Sequence, residues 1–283
     1  MQPARPVSRR SPRGRRATVA ASVNNRLLFF LHNPKAGGTA VGHALEAMFA
    51  PELRCPLIEN TERDHARRGG DYAPFRGYSY YGGHYGRDIF SAVDAGHGAI
   101  TNFRDPVARL RSLYTYYRCV VKLPQDATLL DDLYPVAFAQ SHDFHSFVST
   151  EDARIEIHTR NHHARQLTSS AWSPESCGDL ECAIAFVDLM PWYYVCELPD
   201  LSQDWGKRMF GNDFARIARL NVTGGTSEPL TSRTRRIIED KNTLDRALHD
   251  FAARKLRRAM RRSRAKQFFG ALFRPAPPRT TLC

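Results

Sequence analysis

The sequence predicts an α/β domain of three layers, with a central parallel β-sheet flanked by helices. Two strand-to-helix units and a third strand candidate carry that expectation. In the first unit a continuous apolar run, Arg26–Leu31, leads through Gly37, Gly38 and Thr39 into helically spaced Val41, Leu45, Met48 and Phe49, and Pro51 stops the helix. A short run that is apolar on both faces suits a strand covered on both sides. In the second unit Ala99–Phe103 runs into Arg104, Asp105 and Pro106. Proline is at home in a first helical turn and aspartate at an N-cap; Val107, Leu110, Leu113, Tyr114 and Tyr117 then continue one helical face. Trp192–Cys196 is the third strand candidate, with a helix expected over Leu198–Phe210. Strands alternating with helices argue for a parallel sheet.

The remaining segments fill in around these units. Residues 59–76 read as a polar loop or marginal helix, and aromatic Tyr78–Tyr85 as a further extended candidate. Short helices and loops are expected over 124–170, a Gly/Thr/Ser loop over 221–229, and one or two helices over 231–262. No internal repeat is present. The expected organisation is a disordered basic tail over 1–25, one domain over 26–260, and a basic, partly apolar tail over 261–283.

The net charge of +12 belongs to the two ends. Residues 1–26 hold seven arginines and no acid, and residues 254–283 hold ten Lys/Arg and no acid, which leaves 24 basic residues against 29 acidic ones between them. The body of the chain is therefore mildly acidic, and binding to nucleic acid or an acidic membrane is a property to expect of the tails. In the C-terminal tail, Phe251, Leu256 and Met260, then Phe268, Phe269, Leu272 and Phe273, interleave with Arg and Lys. That pattern suits a membrane-surface or partner-binding helix, or a solvated helix end; no nucleic-acid motif accompanies it.

The six cysteines, Cys55, Cys119, Cys177, Cys182, Cys196 and Cys283, form no C-x-x-C pair. Reduced, mostly buried thiols are expected, and no zinc site. His158 and His162 have the i, i+4 spacing of a helical metal pair but lack a third ligand. No apolar run approaches the ~18–20 residues of a membrane span, and the Arg-rich start lacks the apolar stretch of a secretory signal. A cytoplasmic chain is expected, with membrane-surface contact through the C-terminal tail as an option.

The chemistry begins at His32–Thr39. Gly37 and Gly38 lie between a strand and a helix, where backbone N–H groups and the positive helix end converge; Lys35 adds an ammonium and Thr39 a hydroxyl, so the segment reads as an anion cradle. The Walker A order places Lys after the glycines, and here it precedes them, which weakens an NTPase reading. Pro34–Lys35–Ala36–Gly37–Gly38–Thr39 resembles the P-K-x-G/A-G/S-T loop of sulfotransferases, above all the carbohydrate-type branch with the heparan sulfate and dermatan/uronyl 2-O-sulfotransferases. The resemblance implies a P-loop-like fold in which Pro34 to Ala40 wrap the 5′-phosphosulfate of 3′-phosphoadenosine 5′-phosphosulfate (PAPS) and Lys35 touches the bridging oxygen.

A second, longer match is Arg104–Asp105–Pro106, continuing through Arg109, Ser112 and Tyr114, which resembles the family's R-D-P-x-x-R-x-x-S-x-Y. It implies that Arg104 and Ser112 hold the 3′-phosphate. A guanidinium forks two charge-assisted bonds to a phosphate. Ser112 stands eight residues on, a little over two helical turns away. Gly83–His84–Tyr85 is similar to a family Gly-His-aromatic segment whose His is the general base; His84 is the expected base, with His97 the runner-up. Asn161–Leu167 resembles N-x-x-x-R-Q-L, which implies an acceptor contact for Arg165. Asn221–Ser227 resembles a loop closing over the nucleotide, with Thr223 and Ser227 as contacts, but it lacks the family's Lys or Arg.

The expectation is a sulfotransferase that uses PAPS, without a metal, to sulfate an acceptor hydroxyl, on a carbohydrate in the first instance. A nucleotide-dependent kinase and a non-catalytic nucleotide or polyanion binder are the alternatives.

Overall fold

In a computed structural model the chain is described at residues 27–58, 71–93, 96–123, 133–170, 172, 178–211, 214–217 and 229–272, with side chains up to 262. Four strands form one sheet: β1 (Leu28–Leu31), β2 (Tyr80–Gly83), β3 (Gly98–Phe103) and β4 (Tyr193–Val195), in the order β2-β1-β3-β4. All pairings are parallel, with Leu31 beside Gly83 on one side and Thr101 on the other, and Phe103 beside Val195. Eleven α-helices accompany it among the described residues.

Side chains alternate across a strand, so each half of the run in β1 feeds a different core. Leu28 and Phe30 pack with Val41, Ala44 and Leu45 of α1 (Gly38–Glu46), and with Trp192, Tyr194 and Phe210. Phe29 and Leu31 face the other way, onto Ile89 and Val93 of α2 (Arg87–Val93), Phe103, Tyr193 and several later helices. Apolar cores on both faces of a parallel sheet are the three layers expected from the sequence. A satellite core joins Leu110, Leu113 and Tyr114 of α3 (Pro106–Cys119) to α4 (Tyr134–Ser141), α5 (Phe144–Ser149) and α6 (Ala153–Thr159).

Both strand-to-helix units stand where the sequence put them; β1 starts two residues later than expected and β3 one earlier, and α1 ends at Glu46, short of Met48 and Phe49. The Asp105 carboxylate accepts the Ala108 amide at 2.9 Å and caps α3, with Pro106 at its first position. Four more helices complete the fold: α7 (His162–Thr168), α8 (Leu180–Leu189), α9 (Pro199–Phe210) and α10 (Ser232–Lys241). The last, α11 (Thr243–Leu272), runs unbroken through the boundary expected at residue 260. Among the described residues no helix is long and apolar enough to cross a membrane.

The connection from β1 goes to the sheet edge at β2, and that from β2 crosses back over β1 to β3. The carboxyl ends of β1 and β3 therefore flank the point where strand order reverses, the place where open α/β sheets leave a crevice.

Candidate active site

At that crevice lies a cavity of about 630 Å³, within the ~300–1,000 Å³ of typical small-molecule sites. The segment after β1 forms one wall, contributing Pro34, Lys35, Gly37, Gly38, Thr39 and Ala40. The loop makes a sharp turn: Lys35 and Gly37 have φ of 63° and 77°. A non-glycine residue held at positive φ is strained and persists because its surroundings hold it. Gly38 cannot be replaced cheaply, since a Cβ there would stand 1.9 Å from the His32 ring. α1 then starts with no side-chain cap and no acidic residue in its first turn. Its positive end is thus uncompensated by the protein.

β3 holds this loop in place. Buried Asn102 accepts the Asn33 amide at 2.8 Å and donates to the carbonyls of Asn33 at 3.0 Å and Ala36 at 2.8 Å. Ala36 is therefore turned inward and does not line the cavity. Two residues later Arg104 donates from Nη1 to the Lys35 carbonyl at 2.9 Å. The two anion motifs, some 70 residues apart in sequence, thus meet in one cleft. Burial and the Arg104 charge together push the Lys35 ammonium below its ordinary pKa, and its Nζ lies 3.8 Å from the centroid of the Tyr116 ring. Two cations crowded into one cavity favour a bound anion.

The opposite wall is one face of α3: Ala108, Arg109, Ser112, Leu113, Tyr116 and Tyr117, in steps of one and three residues. Ser112 shares the cavity with Arg104, as its motif implied. Arg109 is buried, donates from Nη2 to the His158 carbonyl at 3.2 Å, and has no partner for Nε among the described residues.

The far end is rich in imidazoles. His84 follows β2, and its ring meets that of His32 at 4.4 Å, edge to face. Burial, with help from Lys35, lowers the His84 pKa to about 4. His32 is held well below its ordinary value by burial and by the His84 and Lys35 charges. His158, Nδ1 against the Tyr117 hydroxyl at 3.1 Å, is pushed down to about 3 by burial and by Arg165, Arg109 and His84. His162 and Trp172 complete this end, and the Trp172 indole donates to the His84 carbonyl at 3.1 Å.

Other expected residues stand elsewhere. Arg165 is buried and donates to the Ile157 carbonyl; it does not line the cavity. Its buried neighbour Gln166 donates to the carbonyls of His32 at 3.1 Å and Tyr85 at 2.8 Å and so ties the end of β1 to that of β2 beside both histidines. His97 is structural, with Nε2 2.9 Å from the Tyr78 carbonyl. Thr223 and Ser227 lie outside the described residues. No group of three potential metal ligands occurs among the described residues. Sequence reasoning missed His32, Asn102, Tyr116, Tyr117, Trp172 and Glu197. The carboxylate of Glu197 takes the Asp105 amide at 2.9 Å and faces His249 at 3.0 Å.

No family model matches this chain, and no curated protein matches it. The reading of the site rests on its own residues and on the motif resemblance.

Proposed function

We propose that the chain is a sulfotransferase that passes the sulfuryl group of PAPS to an acceptor hydroxyl, on a carbohydrate in the first instance. One observation carries the reading: the loop of Lys35 and the strand end of Arg104 meet in a single cavity, joined by the hydrogen bond from Arg104 to the Lys35 carbonyl. A nucleotide with phosphates at both its 5′ and 3′ positions suits two anion sites side by side. The 5′-phosphosulfate lies against Lys35 and the N-terminus of α1, and the 3′-phosphate against Arg104 and Ser112.

Transfer is an in-line displacement at sulfur. The acceptor oxygen forms a bond to sulfur as the bond to the bridging oxygen breaks, and adenosine 3′,5′-bisphosphate leaves with the electron pair. Lys35 offsets the charge growing on that oxygen. His84 takes the proton that the acceptor hydroxyl loses. With its pKa lowered to about 4 by burial and the Lys35 charge it is neutral at pH 7, hence free to accept a proton. The bound polyanion raises its proton affinity.

A kinase would need carboxylates for Mg²⁺. Glu197 is the one carboxylate among the described lining residues, and it already engages His249 and the Asp105 amide. The test compares melting temperatures and activities. Adenosine 3′,5′-bisphosphate should raise the melting temperature more than ATP with Mg²⁺ does, and radiolabelled sulfate should pass from PAPS to a saccharide acceptor. Stronger stabilisation by ATP with Mg²⁺ would put phosphoryl transfer first.

A further inference from the structure

The last helix carries a surface that the transfer reaction does not use. Leu248, Ala252, Leu256 and Met260 of α11 are buried in the core. At 100° per residue the opposite side of the helix holds positions 254, 258, 261, 265, 268 and 272, spaced alternately by four and three residues. The stripe reads Arg254, Arg258, Arg261, Ala265, Phe268 and Leu272. All three arginines are exposed, as are Arg257 and Arg262 beside them. Six of the nine residues from 254 to 262 are Arg or Lys, and no acid follows Asp250. Neighbouring α9 adds no net charge, since Asp200 and Asp204 are balanced by Lys207 and Arg208.

By position along the helix, then, this stripe changes from cationic to apolar residues. A soluble polyanion would engage the arginines and gain nothing from Phe268 and Leu272. An anionic bilayer takes both, because its headgroups attract the guanidiniums and its acyl boundary accepts the apolar side chains. We propose that the outward stripe of α11 docks the protein on an anionic phospholipid surface, with the helix lying in the plane of the interface. Nothing in this depends on the sulfuryl-transfer reading.

The full chain is sedimented with phosphatidylcholine vesicles with and without phosphatidylserine. Binding should require the anionic lipid and weaken with added salt. Arg254→Glu/Arg258→Glu/Arg261→Glu should weaken it by roughly 100-fold, at about a factor of five per lost cation, and Phe268→Ser/Leu272→Ser by at least ~5-fold. The melting temperature of each variant checks its fold, and the salt titration gives a reading on the unaltered chain. Equal binding to both vesicle types would overturn the proposal. So would indifference to Phe268→Ser/Leu272→Ser, or capture by an oligonucleotide or heparin with no vesicle binding.

Discussion

The two ends of the cavity are built from different materials. The proposed phosphate end is made largely of backbone: a turn with two positive φ values and an uncapped helix start, held against β3 by Asn102, which accepts one hydrogen bond and donates two. The histidine end is made of side chains from four separate segments, residues 32, 84, 158–162 and 172, kept neutral by burial. The difference teaches which end tolerates substitution. Backbone amides cannot be mutated away, so at this end substitution can remove only the support and the lining side chains Lys35, Arg104 and Ser112. The histidine end fails one residue at a time.

The largest expected effect is on chemistry. His84→Ala should cost roughly 10²–10⁴-fold in turnover with adenosine 3′,5′-bisphosphate affinity nearly unchanged, measured by sulfate transfer beside calorimetry. Unchanged turnover would remove His84 from the mechanism. Next comes Arg104→Ala, which should weaken that nucleotide by roughly 10–100-fold through the loss of charge-assisted bonds. Asn102→Ala probes the support instead. It unpairs the buried Asn33 amide and two carbonyls, and should destabilise the fold by about 2–3 kcal/mol, read by urea unfolding. A loss of nucleotide affinity should accompany it that Arg165→Met does not share.

A smaller effect separates the ends by pH. His84, with a pKa of about 4, and His158, with one of about 3, bind protons in the folded chain only well below the ordinary histidine value of 6.5. Between pH 6.5 and 4 the unfolded chain holds more protons than the folded one, so stability is complete above pH 6.5 and is lost as pH falls through that window. The melting temperature should drop by on the order of 10 °C from pH 7 to pH 5; a flat profile would mean these imidazoles are not held neutral. Smallest of all, Tyr116→Leu removes the ring beneath Lys35 and should change the Michaelis constant for PAPS by about 2–5-fold.

The phosphate end was legible in the sequence for the same reason that it is robust. A backbone cradle must be contiguous, so Pro34–Thr39 and Arg104–Ser112 each show as one local pattern. The sheet was legible too, because β1 is apolar on both faces and β3 ends two residues before a helix start marked by Asp105 and Pro106. β2 was a weaker signal, since its glycines and tyrosines do not alternate cleanly. The histidine end was hidden because its members approach only after the sheet orders the chain. His84 was found through a motif; His32 stood in the cradle segment without a role of its own, and Trp172 carried no local signal. Arg165 stands in the segment that resembles N-x-x-x-R-Q-L, but its side chain is buried against the Ile157 carbonyl. The useful residue there is Gln166, whose amide ties two strand ends by hydrogen bonds that no spacing rule reveals.

The claim beneath all of this is that one nucleotide spans two anion sites. Calorimetric titration with adenosine 3′,5′-bisphosphate, adenosine 5′-monophosphate and adenosine 3′-monophosphate, against the unaltered chain, Lys35→Ala and Arg104→Ala, tests it most directly. The unaltered chain should bind the bisphosphate most tightly; Arg104→Ala should no longer distinguish it from the 5′-monophosphate, nor Lys35→Ala from the 3′-monophosphate. Equal affinity of the unaltered chain for all three ligands would contradict the account.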